Sequence, residues 1–511
     1  YIPPKLPFGF AQSRWGSMNR EDVGTVADGY RECDFPIDMI VLDIDYMENY
    51  KDFTINGERF PDFPAFVKEM RERGIRLIPI IDAGVKVEKG YSVYEEGVKN
   101  NYFCKGEDGK PFVVGVWPGD SVFPDFLNSK AREWFGSNYK TLLDCGIEGF
   151  WNDMNEPSVF YSKNSLAKTI EHISGKAGKN LSLQEFWSIT GAVAALANNP
   201  EDYASFYHDA DGKQIRHSEV HNLFGYNMVR SASEYFKKYD DKKRFLIYSR
   251  SSHIGMHRYG GIWTGDNASR WDHLLMNLKM LPSLNMCGFL YAGADIGGFG
   301  QDTTEDLMLR WLALGIFVPL LRNHCTFGAR RQEFYLFENK KAIKNLLDLR
   351  YSLIPYLYSE YVKSALRGEL LYTPLGFLYP NDERAKEIED QLFVGSSIMI
   401  APVYRQNEKG RLVYLPESMK MVKIKSVTDY REEVLPRGDH YIEIGFDETV
   451  FFIAPGKALP LANPVSHVED LDDKNFLWLK NSEGEVDYEL YTDDGVTADI
   501  RFENIRTITV K

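Results

Sequence analysis

The chain has 511 residues, of which 44% are hydrophobic and 14% aromatic, with a net charge of −14. Its length exceeds the ~250–300 residues at which single cores stop growing, so two or three domains are expected. The acidic balance argues against a nucleic-acid partner, and the longest apolar run, 311–321, is too short for a bilayer and holds Gly315 and Pro319.

From the first residues, apolar β-like runs alternate with helical stretches. The runs are 8–15, 39–46, 76–85, 149–155, 244–250, 260–266, 288–295 and 318–324. Eight parallel strands are what a (β/α)8 barrel needs, and near-continuous apolar character suits strands covered on both faces. Residues with chemical capability recur at the C-terminal ends of these runs: Trp15, Asp43, Asp153, Arg250, Asp266 and His324. Barrel enzymes place their sites at that end. Two connections are longer than a barrel requires. Residues 86–128 are rich in Gly and Tyr, hold Trp117, and read as a lid or subdomain. Residues 157–221 form a second insertion, in which Ser182-Leu183-Gln184-Glu185 reads as a capping box opening a helix that ends near Asn198.

The stretch 340–366 reads as helical, and from Gln391 onward the texture changes to short β-like runs separated by turn residues. These are 397–403, 411–414, 421–425, 441–444, 449–453, 475–479, 486–491 and 505–510, the texture of antiparallel sandwiches. The expected architecture is therefore α/β. A (β/α)8 TIM barrel with insertions spans 1–366, a proximal C-terminal β domain spans 367–455, and a distal one spans 456–511.

The five cysteines, Cys33, Cys104, Cys145, Cys287 and Cys325, are scattered and form no CxxC or Cys/His metal spacing. Free thiols in a reducing, cytoplasmic compartment are the expectation. No HExxH or GxSxG occurs, and His253 and His257 flank Gly255 in a loop-like stretch. Neither metal nor cofactor is expected.

Two aspartates carry the chemical reading. Asp153 lies in Gly149-Phe150-Trp151-Asn152-Asp153-Met154-Asn155-Glu156, and Asp266 in Gly261-Ile262-Trp263-Thr264-Gly265-Asp266-Asn267. Each ends an apolar run beside Trp, where water is scarce and position is fixed. Brought together by a barrel, they supply a nucleophile and a proton donor, which is what cleaving a sugar acetal with retention requires.

The run 151–156 resembles the nucleophile signature of glycoside hydrolase family thirty-one, the α-glucosidases and their relatives. The likeness continues in Leu42-Asp43-Ile44-Asp45-Tyr46, His221-Asn222-Leu223-Phe224-Gly225, Ser249-Arg250-Ser251 and Trp263-Thr264-Gly265-Asp266-Asn267. It extends to Gly293-Ala294-Asp295-Ile296-Gly297-Gly298-Phe299 and Arg322-Asn323-His324, in the family's order, over roughly 7–366. The resemblance implies that Asp153 attacks the anomeric carbon and that Asp266 is the acid/base, with Arg250 keeping Asp153 ionised. It implies that Asp43 and His324, with Arg250, bind sugar hydroxyls. Ile44, Ile81, Trp151, Trp263 and Phe299 are the expected apolar walls, with core packing the alternative role for Trp151 and Phe299, and Trp15 is the expected contact to the leaving sugar.

The implied activity is that of a retaining exo-α-glucosidase on short oligosaccharides of the isomaltose or maltose type, with transfer to sugar acceptors as a side reaction. An α-xylosidase or α-glucan lyase on the same site is the near alternative, and a non-catalytic glucan-binding protein the distant one. Members of the family it resembles carry a β-sandwich before the barrel, whereas this sequence begins almost at the first barrel strand. It is expected to be a piece whose preceding segment completes the pocket, the alternative being a wall supplied otherwise.

Overall fold

The structure, a computed structural model, describes residues 1–16 and 18–511. Its centre is a parallel sheet of β1 (Phe10–Gln12), β2 (Met39–Leu42), β3 (Arg76–Ile81), β4 (Gly149–Asn152), β5 (Leu246–Ser249), β6 (Gly261–Trp263), β7 (in two pieces, Ala292–Gly293 and Asp295–Ile296) and β8 (Leu321–Asn323). Hydrogen bonding runs from the first piece of β7 through β6, β5, β4, β3, β2, β1 and β8 to the second piece of β7. Only Ala294 separates the two pieces, so the chain itself closes the ring. Gly293 is required there, because a Cβ would lie 2.2 Å from the Leu320 carbonyl oxygen.

Helices cover the ring. In α1 (Arg20–Glu32), Val23, Val26, Ala27 and Tyr30 make a buried stripe at helical spacing, and an Asn19/Asp22 capping box starts it. In α2 (Phe63–Glu72) the stripe is Phe63, Phe66, Val67 and Met70. The ring is completed by α3 (Ser129–Asn138), α4 (Leu223–Tyr239), α5 (Trp271–Met286), α6 (Glu305–Gly315) and α7 (Lys340–Arg367). The run expected as a strand over 288–295 begins only at Ala292. Its first residues close α5 instead: Gly288 takes φ 91°, and the Phe289 N–H bonds back to Leu284 O at 2.9 Å.

The two insertions interweave. Val85–Lys86, Gly119–Val122 and Val113–Val116 form one small sheet, to which Tyr161–Ser162 of the second insertion adds a strand. Phe206–Ala210 of the second insertion pairs with Lys105–Gly106 of the first. The Ser182/Glu185 capping box is present and opens helix Leu183–Ala194, shorter than the expected end near Asn198.

Beyond α7, an antiparallel sheet of six strands is ordered Tyr372–Pro374, Leu392–Val394, Ile398–Ile400, Thr449–Ile453, Met419–Ser426, Asp429–Leu435. Alternation assigns its faces. Phe393, Met399, Met421 and Phe452 pack with Val413 and Leu415 of the ribbon Gly410–Leu415/Gly438–Glu443. Val394, Ile398, Val422, Phe451 and Ile453 join the barrel core. Two further ribbons, Ala458–Ala462/Phe476–Lys480 and Val486–Tyr491/Ile505–Val510, follow. Four of these strands, Tyr372–Pro374, Leu392–Val394, Asp429–Leu435 and Ala458–Ala462, are not among the expected runs, the last two for plain reasons. Asp429–Leu435 is an edge strand made mostly of exposed charged residues, and Ala458–Ala462 carries Pro460. Among the described residues no helix is long and apolar enough to cross a membrane, and all five cysteines are unpaired.

The N-terminal end of the barrel is tied by Arg350 of α7, which is fully buried. Its guanidinium donates to the carbonyls of Phe8 (2.7 Å), Ile316 (2.8 Å), Val318 (2.7 Å) and Pro319 (2.8 Å), the segments that lead into β1 and β8. Burial pulls its pKa down to about 10, yet it stays charged at neutral pH. Arg350→Met strands four buried acceptors, each costly to leave unmade. The variant is expected to lose ~3–5 kcal/mol, read as a lower urea midpoint at unchanged slope; an unchanged midpoint would show that the tie is dispensable.

Candidate active site

Asp43, Asp153, Arg250 and His324 each follow directly on a barrel strand, and Trp15 and Asp266 lie within a turn of theirs. All stand on the C-terminal rim, as the sequence suggests. Asp153 is fixed from both sides: its N–H donates to Ile81 O at 3.1 Å, and its Oδ1 accepts the Met154 N–H at 2.8 Å. Asp266 is delivered by Gly265, whose φ of 84° suits glycine.

Adjacent strands bring the charges together. In the β4–β5 register Asn152 faces Ser249, so Asp153 and Arg250 emerge side by side. Arg250 Nη1 lies 3.0 Å from Asp153 Oδ1 and 3.9 Å from Asp266 Oδ2. The two carboxylate oxygens are therefore no farther apart than the sum of these lengths. The rest of the guanidinium is clamped by Glu156, with Nε to Oε1 at 2.6 Å and Nη2 to Oε2 at 2.9 Å, and by Ser158 Oγ at 2.7 Å.

Burial dominates the electrostatics. It pushes Asp153 up to about 6, with Arg250 opposing and Asp266 adding to the rise. Asp266, half-exposed at the rim, is also raised by desolvation, against the pull of Arg250. Asp43 is pushed up to about 7 by burial and by Asp153 and Asp45, while its Oδ1 accepts the Ile44 N–H at 2.7 Å. His324 Nε2 stands 3.7 Å from Asp43 Oδ2. Burial beside Arg322 lowers the His324 pKa well below its usual range, so the imidazole is neutral.

The rings are layered. Trp151 meets Trp263 edge-to-face at 5.1 Å and His324 at 5.4 Å, and half-buried Phe299 stacks on His324 at 4.9 Å. Trp263, Ile81 and Ile44 are almost wholly buried, and Ile81 reaches the site through its carbonyl. Trp151 Nε1 and His324 Nδ1 are buried polar atoms with no hydrogen-bond partner among the described residues. Trp15 contacts Trp117 of the first insertion at 5.2 Å, and Trp117 contacts Phe160 of the second at 5.0 Å.

Several residues escape the sequence reading. Asp82 follows β3 just as Asp43 follows β2, and its N–H donates to the buried Asp52 at 2.9 Å. Reading the strand through residue 85 hides it. Asp295 and Arg322 pair at 2.7 Å below the mouth, where Asp295 also accepts the Trp263 Nε1–H at 2.8 Å and Arg322 lies 4.5 Å from the Trp151 ring. Glu156 and Trp117 show their roles only once the fold is in place.

A family model described as "Glycosyl hydrolases family 31 TIM-barrel domain" matches residues 1–360. Another, "Glycosyl hydrolase family 31 C-terminal domain", matches residues 368–459. "Alpha-glucosidase 2" of Bacillus thermoamyloliquefaciens is 35% identical over 97% of this chain and 58% of that protein. "Lysosomal alpha-glucosidase" of Mus musculus is 31% identical over 97% of this chain and 53% of that protein. A crystal structure of the glucosidase II alpha subunit, in an alpha3-Glc2-bound form, aligns with a TM-score of 0.84 at 26% identity, covering 99% of this chain and 52% of that one. The chain thus spans little more than half the length of these relatives.

The shared cation makes the two rim carboxyls one titrating unit. Since Asp266 raises Asp153, Asp266→Asn is expected to bring the Asp153 carboxyl below its value of about 6. Difference carboxyl ¹³C titration against Asp153→Asn checks this, and an unmoved Asp153 signal would mean that the pair is uncoupled.

Proposed function

The chain belongs to glycoside hydrolase family 31, and we propose that it is a retaining exo-α-glucosidase acting on short α-linked oligosaccharides. The observation that carries this reading is the single Arg250 nitrogen within 3.0 Å of Asp153 and 3.9 Å of Asp266. That bound favours the ~5–5.5 Å spacing of retaining enzymes over most of the ~6.5–9.5 Å range of inverting ones.

In this mechanism Asp153, as carboxylate, attacks the anomeric carbon while Asp266 gives its proton to the departing glycosidic oxygen. The glucosyl ester on Asp153 is then attacked by water, whose proton returns to Asp266. A sugar hydroxyl in place of water yields transglucosylation. Asp43, His324 and Trp151 Nε1, which has no partner among the described residues, offer donors and acceptors to the hydroxyls of the bound sugar. A site with such buried groups rejects sugars that leave them unpaired. Both insertions stand at the rim, which supports a closed pocket and exo action. The proposal includes a cytoplasmic location, supported by five unpaired cysteines, and a further segment of the same protein as part of the pocket wall.

The test is a progress curve on p-nitrophenyl α-glucoside beside the α-xyloside. Asp153→Ala is expected to cut glucoside cleavage by on the order of 10⁴–10⁶-fold. Xylose release, or an unsaturated anhydro sugar, would replace the glucosidase reading by xylosidase or lyase, and activity surviving in Asp153→Ala would remove the nucleophile. Because Asp153 must be ionised, kcat/KM is expected to fall as pH drops through about 6, and to fall again at high pH as Asp266 loses its proton. Arg250→Gln removes the opposing cation and should move the acid limb upward by ~1–3 pH units. Trp15, bracketed by Trp117, is expected to set linkage preference. Trp15→Tyr should change the isomaltose-to-maltose rate ratio, and an unchanged ratio would refute that role.

A further inference from the structure

Away from the catalytic mouth, one buried cluster takes no part in the mechanism. Cys104, Asp125 and His208 each bring a donor atom to within 4.8 Å of the other two, and none is more than 2% exposed. They come from different parts of the insertions. Cys104 precedes strand Lys105–Gly106, Asp125 follows Gly119–Val122, and His208 lies on Phe206–Ala210 of the second insertion. Cys104 Sγ is 3.5 Å from His208 Nδ1, and Asp125 Oδ1 is 2.7 Å from the same nitrogen. Asp125 Oδ2 accepts the Asp209 N–H at 2.5 Å, which fixes the carboxylate.

We propose that Cys104, Asp125 and His208 form a divalent transition-metal site, with zinc the ion that suits its donors. Thiolate, imidazole and carboxylate are the ligands zinc takes in proteins. Bonds of ~2.3 Å to sulfur and ~2.0–2.1 Å to nitrogen at a tetrahedral angle set sulfur and nitrogen ~3.5 Å apart. The observed separation is 3.5 Å. The carboxylate oxygen sits at hydrogen-bond distance from Nδ1 and must draw back by roughly half an ångström to reach the ~3.3 Å edge of the same tetrahedron. The Pro124 carbonyl oxygen, 3.6 Å from Cys104 Sγ, is within reach as a fourth donor.

The surroundings match those of a ligating histidine, which donates its second ring N–H outward. His208 Nε2 lies 3.0 Å from His217 Nδ1, and His217 Nε2 lies 2.9 Å from His221 Nδ1. With the metal on Nδ1, His208 carries its proton on Nε2 and donates it to His217, which donates in turn to His221. The Cys104 proton leaves to solvent. The ion would then staple the first insertion to the second, adding to the short strands and ring contacts that join them.

The test uses the purified chain stripped by a chelator and titrated with Co²⁺ alone, so it needs no substrate and is independent of the catalytic assignment. One equivalent is expected to bring up a near-ultraviolet thiolate-to-cobalt charge-transfer band, which Zn²⁺ then abolishes by displacement. Cys104→Ser should remove that band. His217→Ala, which leaves the three ligands in place, should weaken cobalt binding by ~10–100-fold. A folded wild-type chain, by circular dichroism, that shows no such band would overturn the proposal, as would a band that survives Cys104→Ser.

Discussion

Carboxylates withdrawn from water beside one another need a cation among them, and at this barrel mouth Arg250 is that cation. Its position follows from backbone pairing, because β5 lies beside β4 with Ser249 opposite Asn152, and Arg250 N–H bonds to Asn152 O at 3.1 Å. The side chain is then held by Glu156 and Ser158, which belong to the segment leaving β4. One strand therefore supplies both the Asp153 carboxylate and the clamp on its counter-ion. A guanidinium suits this place better than an ammonium, since a planar fork can serve Glu156 on one edge and two rim carboxylates on the other.

Much of this site is legible in the sequence because a charged residue ending a buried strand has a simple signature: a carboxylate, guanidinium or imidazole after an apolar run. Asp43, Asp153, Arg250 and His324 are found that way. Asp82 has the same signature and is missed only because the apolar run continues past it in Ala83 and Val85. Asp295 and Arg322 are harder, since both lie within strands and pair with each other below the rings. Glu156 acquires its role from a neighbour far along the chain, and Trp117 from the way an insertion folds back over Trp15. Periodicity registers what each residue does to its own element, not which distant residue it will meet. The same limit explains the charged edge strand Asp429–Leu435, whose partner Met419–Ser426 supplies the burial.

The two ends of the barrel divide the work. At the N-terminal end, Arg350 donates to four backbone carbonyls, so its charge is absorbed by backbone that must be held in place for the ring to close. Ion pairs such as Arg76–Glu148 and Arg244–Asp493 also stand at that end. At the C-terminal end, charges meet charges, and polar atoms such as His324 Nδ1 have no hydrogen-bond partner among the described residues. Satisfying Arg350 stabilises the ring, while under-satisfied groups at the rim keep capacity for a ligand.

What holds the under-satisfied end in shape is the pair of insertions, which meet it through ring contacts such as Trp15–Trp117 and Phe126–Phe224 and also through a polar chain. The chain of contacts runs from Asp125 through His208, His217 and His221 to the Tyr203 ring, 4.7 Å from His221. Tyr203 donates its hydroxyl proton to Pro157 O at 2.8 Å, next in sequence to the Glu156 that grips Arg250. Each link is a directional contact between groups with few rotamers, so displacement at one end is felt as misalignment at the next. An apolar contact would let side chains repack around a shift; hydrogen-bonded imidazoles do not. The geometry of the rim carboxylates therefore depends on residues outside the barrel strands, and those residues were placed by the insertions rather than by the ring.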